Sequence, residues 1–364
     1  MKQIDRILII IRRYNGDVLL ASPLIEALSK QYQSAKIDLL VNDDTLGIAK
    51  TIDGIDIIHT FSYSWRKLSF TERLKKEFRL FRSVYKKYDL SINLTANDRS
   101  ILYAIVASPH AISAIEEENK KAWWKKIFLK QTYIFDYNKH ILTNNLTPLS
   151  LLNIEPEKMI LKVHHTKSSQ EKIEQKLQER GIEKFIIFHP SAQHEYKMYP
   201  KEHRDKLLEL LNDLKLPIII TGARSELELS IKASLPKLEY IHDFIGETTL
   251  DEYIALSDLS LGYIGMDTLN MHIASAQNKN IFAIFGPTLP QIWSPWSNET
   301  QSYAKESKPV QKYGKVTLFQ ADMPCVACGW AGCDDKGGKS DCLYQINPEL
   351  VFKEVNKWLV KLVG

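Results

Sequence analysis

The chain has 364 residues, of which 44% are apolar and 25% are charged, and its formal net charge is +4. This length allows two domains, and the composition is that of a folded globular protein rather than a disordered one. The mildly positive charge favours anionic ligands or an anionic surface, and it excludes the strongly basic balance that is typical of nucleic-acid-binding proteins.

The N-terminal residues lack the layout of a secretory signal peptide. The apolar run in MKQIDRILIIIRR is short and two arginines follow it, whereas a signal peptide carries its positive charge before a longer apolar run. No apolar run elsewhere approaches the roughly 20 residues that a membrane-spanning helix needs. We therefore expect a cytoplasmic protein.

The first half of the sequence predicts a parallel sheet covered by helices, because short apolar runs alternate with amphipathic segments. The predicted strands are residues 6–11, 35–41, 55–61 and 90–94. The predicted helices are residues 23–32 and a long basic helical region within residues 62–89. Residues 138–167 contain Pro148 and Pro156 and have weak periodicity, so we expect the interdomain region there.

The strand–helix alternation restarts in the second half. The predicted strands are residues 185–189 and 217–221, a strand that ends near residue 264, and residues 281–285. The predicted helices are residues 201–214, 226–233 and 250–256, a short helix after residue 268, and an amphipathic terminal helix, residues 348–363. No GxGxxG or Walker pattern occurs, which argues against a nicotinamide cofactor or a nucleoside triphosphate.

The most informative segment is residues 261–296. Asp267 and Thr268 stand at the expected N-terminus of the short helix, directly after a strand. Backbone amides and the helix dipole make such a position a suitable anion site. Thr268 and His272 are four residues apart and share one helical face, so both could contact a phosphate. From spacing alone, a capped helix with a structural histidine is the alternative.

A second polar turn follows the first predicted strand. Gly16 is expected to allow a tight or left-handed turn. It places Asp17 at the start of the next helix, at the edge of the sheet where ligands bind. The Asp17 carboxylate could act as a general base, or it could only cap the helix.

Both segments resemble the glycosyltransferase family that contains the bacterial lipopolysaccharide heptosyltransferases. The family pattern Asp-Ser/Thr-x-x-x-His, followed by Phe-Gly-Pro-Thr, is similar to Asp267, Thr268 and His272 and to the run 285–288. The opening ILIIIRRYNGDVLLASPLIEALSKQY resembles the family's first strand, Gly-Asp turn and first helix. The resemblance is closest to the heptosyltransferase III branch, because Leu269 stands where other branches have Gly.

The resemblance implies an α/β protein of the GT-B fold, with two Rossmann-like domains facing a cleft. The implied domains are an acceptor-binding domain, residues 1–165, a nucleotide-sugar-binding domain, residues 166–346, and a terminal helix, residues 347–364, that packs back on the N-terminal domain. The implied activity is inverting transfer of a heptose from ADP-heptose to a sugar of the lipopolysaccharide inner core. Alternatives are transfer of another nucleotide-activated sugar, an epimerase or hydrolase of the same fold, and a non-catalytic sugar-nucleotide-binding protein.

The resemblance also implies roles for single residues. Asp17 is the implied catalytic base, and the acceptor side comprises Arg13, Asn15 and Gly16. The implied donor-binding residues are Ser191, Gln193, Lys197, Gly222, Glu226, Thr248, Asp267, Thr268 and His272. Among these, the lysine contacts the donor phosphate and Glu226 holds the ribose. No DxD-type metal motif is present, and a helix dipole, a lysine and a histidine could stabilise the diphosphate instead. We therefore expect transfer that needs no metal ion.

All four cysteines fall within 18 residues, at Cys325, Cys328, Cys333 and Cys342. In a cytosolic protein such a cluster favours metal binding over disulfides. Four thiolates could hold a structural Zn or Fe ion, and reduced thiols without a ligand are the alternative, with disulfides third.

Two basic stretches with aromatic residues are candidates for the acceptor side. Residues 65–87 carry nine Lys or Arg and two Glu, and residues 120–130 read KKAWWKKIFLK. Such segments suit the inner face of the inner membrane, where the lipid A-linked acceptor implied by the resemblance would lie. An ordinary charged helix face is the alternative. We expect no nucleic-acid partner.

Overall fold

The computed structural model describes residues 3–116 and 123–363. The chain divides into two compact units, Met1–His164 and His165–Gly364. Each unit has its own sheet and its own core. Within the described residues, no helix combines the length and the apolar character that crossing a membrane requires.

The first unit contains a six-stranded parallel sheet with the order β3-β2-β1-β4-β5-β6. Its strands are β1 (Arg6–Ile11), β2 (Lys36–Asn42), β3 (Ile58–Phe61), β4 (Leu90–Asn93), β5 (Ala111–Ile115) and β6 (Gln131–Ile134). Its helices are α1 (Asn15–Leu19), α2 (Ser22–Gln31), α3 (Leu46–Ala49), α4 (Phe70–Val84), α5 (Asp98–Ala107), α6 (Trp123–Phe128) and α7 (Ile141–Leu151).

The isoleucine-rich sequence of β1 explains its central position. Every residue of the strand after Arg6 is buried. A continuous apolar run is what a strand needs when helices cover both faces of a parallel sheet. Ile9 pairs with Leu39 of β2 on one side and with Ile92 of β4 on the other.

The second unit contains a seven-stranded sheet with the order β12-β13-β11-β10-β7-β8-β9. Its strands are β7 (Ile186–His189), β8 (Ile218–Ile220), β9 (Ile241–Asp243), β10 (Gly262–Met266), β11 (Asn280–Ile284), β12 (Val310–Tyr313) and β13 (Val316–Phe319). Its helices are α8 (Lys167–Glu179), α9 (Lys201–Asn212), α10 (Glu226–Ala233), α11 (Leu250–Leu259), α12 (Leu269–Ala276), α13 (Pro290–Trp293), α14 (Asp341–Tyr344) and α15 (Pro348–Val363). Among the described strands of this sheet, only β12 runs antiparallel to its neighbour.

Both sheets have a point at which the strand order changes direction. In the first unit this point lies between β1 and β4, and in the second between β7 and β10. Ligands of doubly wound α/β sheets bind beyond the carboxyl ends of the strands at such a switch point, because the two following loops diverge there and leave a crevice. Ligand-binding residues are therefore expected in the loops after β1, β4, β7 and β10.

The boundary between the two units, after His164, falls within residues 138–167, where the sequence predicts the interdomain region. This region also contains α7, with Pro148 inside the helix. The apolar stripe of α15, Val351, Val355 and Leu359, lies in one buried cluster with Leu207 of α9. Packing of the terminal helix on the N-terminal domain stays a prediction.

Candidate functional site

The switch point of the second sheet brings together Lys197 and Asp267. Lys197 lies in a short 3₁₀ turn after β7, and Asp267 directly follows β10. Lys197 Nζ lies 3.2 Å from Asp267 Oδ2, although the residues are 70 positions apart in the chain. Because β7 and β10 are neighbours in the sheet, the loops that follow them are neighbours as well. The ion pair holds an ammonium group at the edge where an anionic ligand would bind.

His272 lies one turn into α12, close enough to Lys197 and Asp267 that both charges act on its imidazole. Thr268 is the N-cap residue of α12 and has an extended backbone. The side chain of His272 is 3% exposed, and its Nδ1 has no hydrogen-bond partner among the described residues. Burial lowers the pKa of His272 to about 4, and the Lys197 charge also lowers it while Asp267 opposes. The imidazole is therefore neutral at pH 7 and offers an unused polar atom to a ligand.

A second buried network lies beside this group and was missed by the sequence analysis. His189, the last residue of β7, has its Nδ1 3.0 Å from the Thr221 carbonyl oxygen and 3.0 Å from Asn270 Nδ2. Its Nε2 lies 3.3 Å from Ser191 Oγ, and Ser191 donates a hydrogen bond to Glu228 Oε1 at 2.8 Å. Burial lowers the pKa of His189 to about 4. The network therefore fixes the start of the loop that carries Lys197.

Glu228 is the acidic residue that this network engages. Ser225 donates to Glu228 Oε2 at 2.8 Å. Burial alone would raise the pKa of Glu228, but hydrogen bonds from the Ala223 backbone and from Ser191 and Ser225 lower it overall. Glu226, to which the sequence analysis gave the ribose, is exposed at the start of α10. The carboxylate two residues later is thus the one fixed in place.

The remaining predicted donor residues lie on neighbouring loops. Gln193 is exposed in the loop after β7, Gly222 follows β8, and Thr248 is half-buried before α11. A Cβ atom on Gly222 would lie 3.3 Å from Glu228 Oε1, so the glycine lets the chain pass close to this carboxylate.

Asp17 lies at the switch point of the first sheet, in α1 directly after β1. Its side chain is 5% exposed. Arg13 Nε lies 2.9 Å from Asp17 Oδ1, and the Tyr14 backbone N–H donates to Asp17 Oδ2 at 3.3 Å. Burial raises the pKa of Asp17 above its usual range, although the Arg13 charge opposes the shift. The carboxylate contacts the helix backbone as a cap would, and its raised pKa suits a proton acceptor.

The predicted acceptor residues surround Asp17 in sequence. Arg13 and Asn15 are half-buried, and Asn15 Oδ1 is buried without a hydrogen-bond partner among the described residues. Gly16 lies inside α1, where the backbone is a right-handed helix. The left-handed turn that was considered there is therefore not formed, and the first helical turn itself provides the tight bend.

The cysteine cluster lies in the segment between β13 and α15, which contacts the loop after β7 through a hydrogen bond from Ser340 Oγ to the Tyr196 carbonyl oxygen. Cys325, Cys328 and Cys333 are exposed, Cys342 is buried, and all four are unpaired. Burial raises the pKa of Cys342 to about 12, with a contribution from the neighbouring thiols. Within residues 3–116 and 123–363, no three His, Cys, Asp or Glu side chains are arranged to hold a metal ion. The four thiols do not form a ready metal site, and metal binding stays a prediction.

The basic stretches form two short amphipathic helices, although residues 120–122 lie outside the described residues. On α4, Phe70, Leu74 and Phe78 are 79%, 55% and 61% exposed. Trp123 and Ile127 on α6 are 67% and 64% exposed. The alternative, an ordinary charged helix face, requires the apolar side chains to pack inward. Within the described residues, several apolar side chains of α4 and α6 are exposed to solvent instead.

Comparison with solved structures identifies the fold. A glycosyl transferase family 9 structure from Veillonella parvula superimposes with a TM-score of 0.77 at 17% identity, covering 99% of each chain. An E. coli heptosyltransferase solved with ADP superimposes with a TM-score of 0.71 at 16% identity, covering 97% of this chain and 99% of the other. The chain has the GT-B fold of these glycosyltransferases.

Sequence comparison then gives the family. Lipopolysaccharide heptosyltransferase 3 of Escherichia coli K12 is 26% identical over 291 residues, which cover 78% of this chain and 83% of the relative. Residues 77–321, more than half of the chain, match the family model of glycosyltransferase family 9 (heptosyltransferase). The chain belongs to this family and is a glycosyltransferase.

Proposed function

We propose that this glycosyltransferase moves a heptose from ADP-heptose to a sugar of the lipopolysaccharide inner core, with inversion and without a metal ion. The observation that carries the proposal is the group of Lys197, Asp267 and His272 at the switch point of the second sheet. The E. coli relative solved with ADP supports the nucleotide. The relative named lipopolysaccharide heptosyltransferase 3 supports the acceptor class.

The donor diphosphate would bind at this switch point. Lys197 would exchange part of its contact with Asp267 for a phosphate oxygen, because a dianionic diphosphate attracts an ammonium group more strongly than one carboxylate does. The first amides of α12 have no partner within the helix and favour negative charge. The neutral His272 would add a hydrogen bond, and Ser191, Gln193, Gly222, Glu226 and Thr248 would line the nucleotide.

Asp17 would act as the base. As the acceptor hydroxyl oxygen forms its bond to the anomeric carbon, its proton passes to the Asp17 carboxylate, and the bond from the anomeric carbon to the diphosphate oxygen breaks. ADP leaves with the bonding electrons. Attack from the face opposite the leaving group inverts the anomeric configuration. Arg13 keeps the carboxylate ionised and oriented, while Asn15 and Gly16 lie next to it on the acceptor side.

No step of this mechanism requires a metal ion. The departing diphosphate gains negative charge, and fixed positive groups stabilise that charge as a divalent ion would. Lys197 and the first amides of α12 supply positive charge in this chain, and the neutral His272 imidazole adds a hydrogen bond. We therefore propose that EDTA leaves the rate unchanged.

The exposed apolar stripe of α4 would bring the enzyme to its acceptor. Phe70, Leu74 and Phe78 recur every four residues and therefore lie on one face. Lysines and arginines flank them along residues 65–87. Amphipathic helices of this kind lie in the interface of anionic membranes, and we propose peripheral contact with the membrane that carries the lipid A-linked acceptor.

The test is transfer to lipopolysaccharide truncated in its inner core. Purified enzyme, ADP-heptose and this acceptor should give a product heavier by one heptose, with an anomeric configuration opposite to that of the donor by NMR, at the same rate with EDTA. Consumption of ADP-heptose without acceptor would instead indicate an epimerase or hydrolase. Binding without any turnover would indicate a non-catalytic protein.

A further inference from the structure

We propose that Ser340 is a positioning residue for donor binding: it holds the turn that carries Lys197, and Cys333 in turn holds Ser340. The cysteine segment, residues 325–342, thereby contributes to the affinity of the enzyme for its nucleotide-sugar. This inference rests on the proposed function for the role of Lys197, whereas the contacts themselves all lie within the second unit.

The turn that carries Lys197 has little support from its own sequence. Residues 193–195 are exposed, and the 3₁₀ turn Glu195–Lys197 has only three residues. A short 3₁₀ turn has few hydrogen bonds, and their geometry is poorer than in an α-helix. The position of the Lys197 ammonium group therefore depends on contacts between this loop and other parts of the second unit.

Two hydrogen bonds from distant residues supply that support. Ser340 Oγ donates to the carbonyl oxygen of Tyr196, the residue before Lys197, at 2.7 Å. Tyr199 Oη donates to the Ile346 carbonyl oxygen at 2.6 Å. Ser340 and Tyr199 are both buried, and a hydrogen bond is electrostatically stronger in the protein interior than in water. The turn is thus fastened on both sides of Lys197 to the segment between β13 and α15.

The contact made by Ser340 replaces a local one. Ser340 is the N-cap residue of α14, yet its side chain makes no capping hydrogen bond. An N-cap serine usually accepts a hydrogen bond from the first helical turn and stabilises the helix. Here the hydroxyl donates to Tyr196, which is 144 positions away in the chain. The side chain therefore serves the turn that carries Lys197 rather than the helix that it begins.

Cys333 contacts the backbone on both sides of Ser340. The Cys333 N–H donates to the Lys339 carbonyl oxygen at 2.9 Å. The Asp341 N–H donates to Cys333 Sγ at 3.3 Å. Because Lys339 and Asp341 directly precede and follow Ser340, these two bonds define where the serine hydroxyl lies.

The segment between β13 and α15 also contacts the loop after β11. The Gly329 N–H donates to the Pro287 carbonyl oxygen at 2.8 Å. A Cβ atom on Gly286 would lie 2.9 Å from Leu343 Cγ, so this loop packs closely on the segment. In the sheet, β10 lies between β11 and β7. The segment therefore supports the loops on both sides of the one that carries Asp267.

The first test is a double-mutant cycle on donor binding, measured by calorimetry with ADP-heptose. Ser340→Ala should weaken binding about 2–10-fold, the usual effect of losing one hydrogen bond. In the Lys197→Met background the same change should have little further effect, because the lysine that it positions is absent. Ser168→Ala changes an exposed serine of α8 and should leave binding unchanged.

Two outcomes of this cycle would overturn the inference. One is equal binding by wild type and Ser340→Ala, and the other is equal weakening in both backgrounds, which would indicate a general effect on the fold. Preference of wild type for another nucleotide-sugar would refute the proposed function, and the same cycle with that ligand would still decide the role of Ser340. Absence of binding to every nucleotide-sugar would overturn both.

The second test concerns Cys333. Cys333→Ala removes the acceptor of the Asp341 N–H and should weaken ADP-heptose binding about 2–5-fold, since sulfur is a weak acceptor. Cys333→Ser keeps an acceptor at this position and should bind as wild type does. Cys325→Ala changes an exposed cysteine of the same segment and should have no effect. Equal weakening by Cys325→Ala and Cys333→Ala, or by neither, would contradict the role of Cys333.

Discussion

Replacing Asp17 with asparagine should separate activity from stability. The asparagine side chain has nearly the same size and could still accept the hydrogen bond from the Tyr14 backbone, so the local structure of α1 should survive. It could not accept a proton from the acceptor hydroxyl. Losing a positioned general base lowers kcat typically about 10²–10⁴-fold, and we expect a loss in that range.

The same substitution should stabilise the protein at neutral pH. Burial raises the pKa of Asp17 in the folded state, so folding favours the protonated carboxyl. Stability from this group is therefore present below the unfolded pKa of about 3.9 and is lost as pH rises through the higher folded pKa. Asp17→Asn removes the charge that causes this loss. Each kcal/mol gained corresponds to about 2–4 °C in Tm for a domain of this size.

The assay combines steady-state transfer with thermal melting between pH 4 and pH 8. In wild type, kcat/KM should fall as pH drops through the Asp17 pKa. Asp17→Asn should show no such fall, and its gain in Tm should be largest at neutral pH and shrink towards pH 4. Asp44→Asn, an exposed aspartate in the same unit, is the matched control. An Asp17→Asn enzyme with unchanged kcat, or one that melts well below wild type at pH 7, would refute the reasoning.

Three further predictions concern the donor loop, the apolar stripe and the cysteines. Lys197→Met should weaken ADP-heptose binding about 10–100-fold by calorimetry, because a hydrogen bond between charged groups is lost. Lys201→Met, an exposed change a few residues later, should not, and equal weakening by both would contradict the role of Lys197. Phe78→Ser should reduce sedimentation with anionic vesicles several-fold, since an exposed phenyl ring contributes apolar area. Leu229→Ser, which changes an exposed apolar residue of the second unit, should leave sedimentation with vesicles unchanged. Reduced sedimentation of both variants, or of neither, would contradict membrane contact through α4. A thiol reagent at pH 8 should label Cys342 slowly, because its thiol is buried and its pKa is about 12, and should label the other three cysteines quickly. Slow labelling of all four, with release of zinc or iron, would favour a metal site.

The local parts of the site could be predicted from sequence. The segment with Asp267, Thr268 and His272 is short, and its strand, cap and helix lie next to each other in the chain. The same is true of Asp17 after β1. In such segments the side chains and the backbone that positions them are specified by neighbouring residues, so pattern and resemblance suffice.

The parts built from distant segments could not be predicted. Glu228 and Asn270 reach the His189 network from helices 39 and 81 positions away, and nothing in their local sequence distinguishes them from ordinary helix residues. Arg12 directly follows the apolar run of β1, and its guanidinium carbon lies 3.9 Å from the centroid of the Phe61 ring, a contact that depends on the sheet order β3-β2-β1. The packing of α15 likewise depends on which apolar face it meets.

Donor binding tests the central claim most directly. Calorimetry of wild type and Asp17→Asn with ADP-heptose, ADP, UDP, GDP and the common sugars of these nucleotides requires no acceptor and no turnover. The account predicts that both proteins bind ADP-heptose in preference to every UDP- and GDP-linked sugar, since the donor group at Lys197 and His272 is intact in both. Preference for a UDP or GDP sugar would contradict heptose transfer, and absence of binding to all of them would contradict the assignment of the donor site.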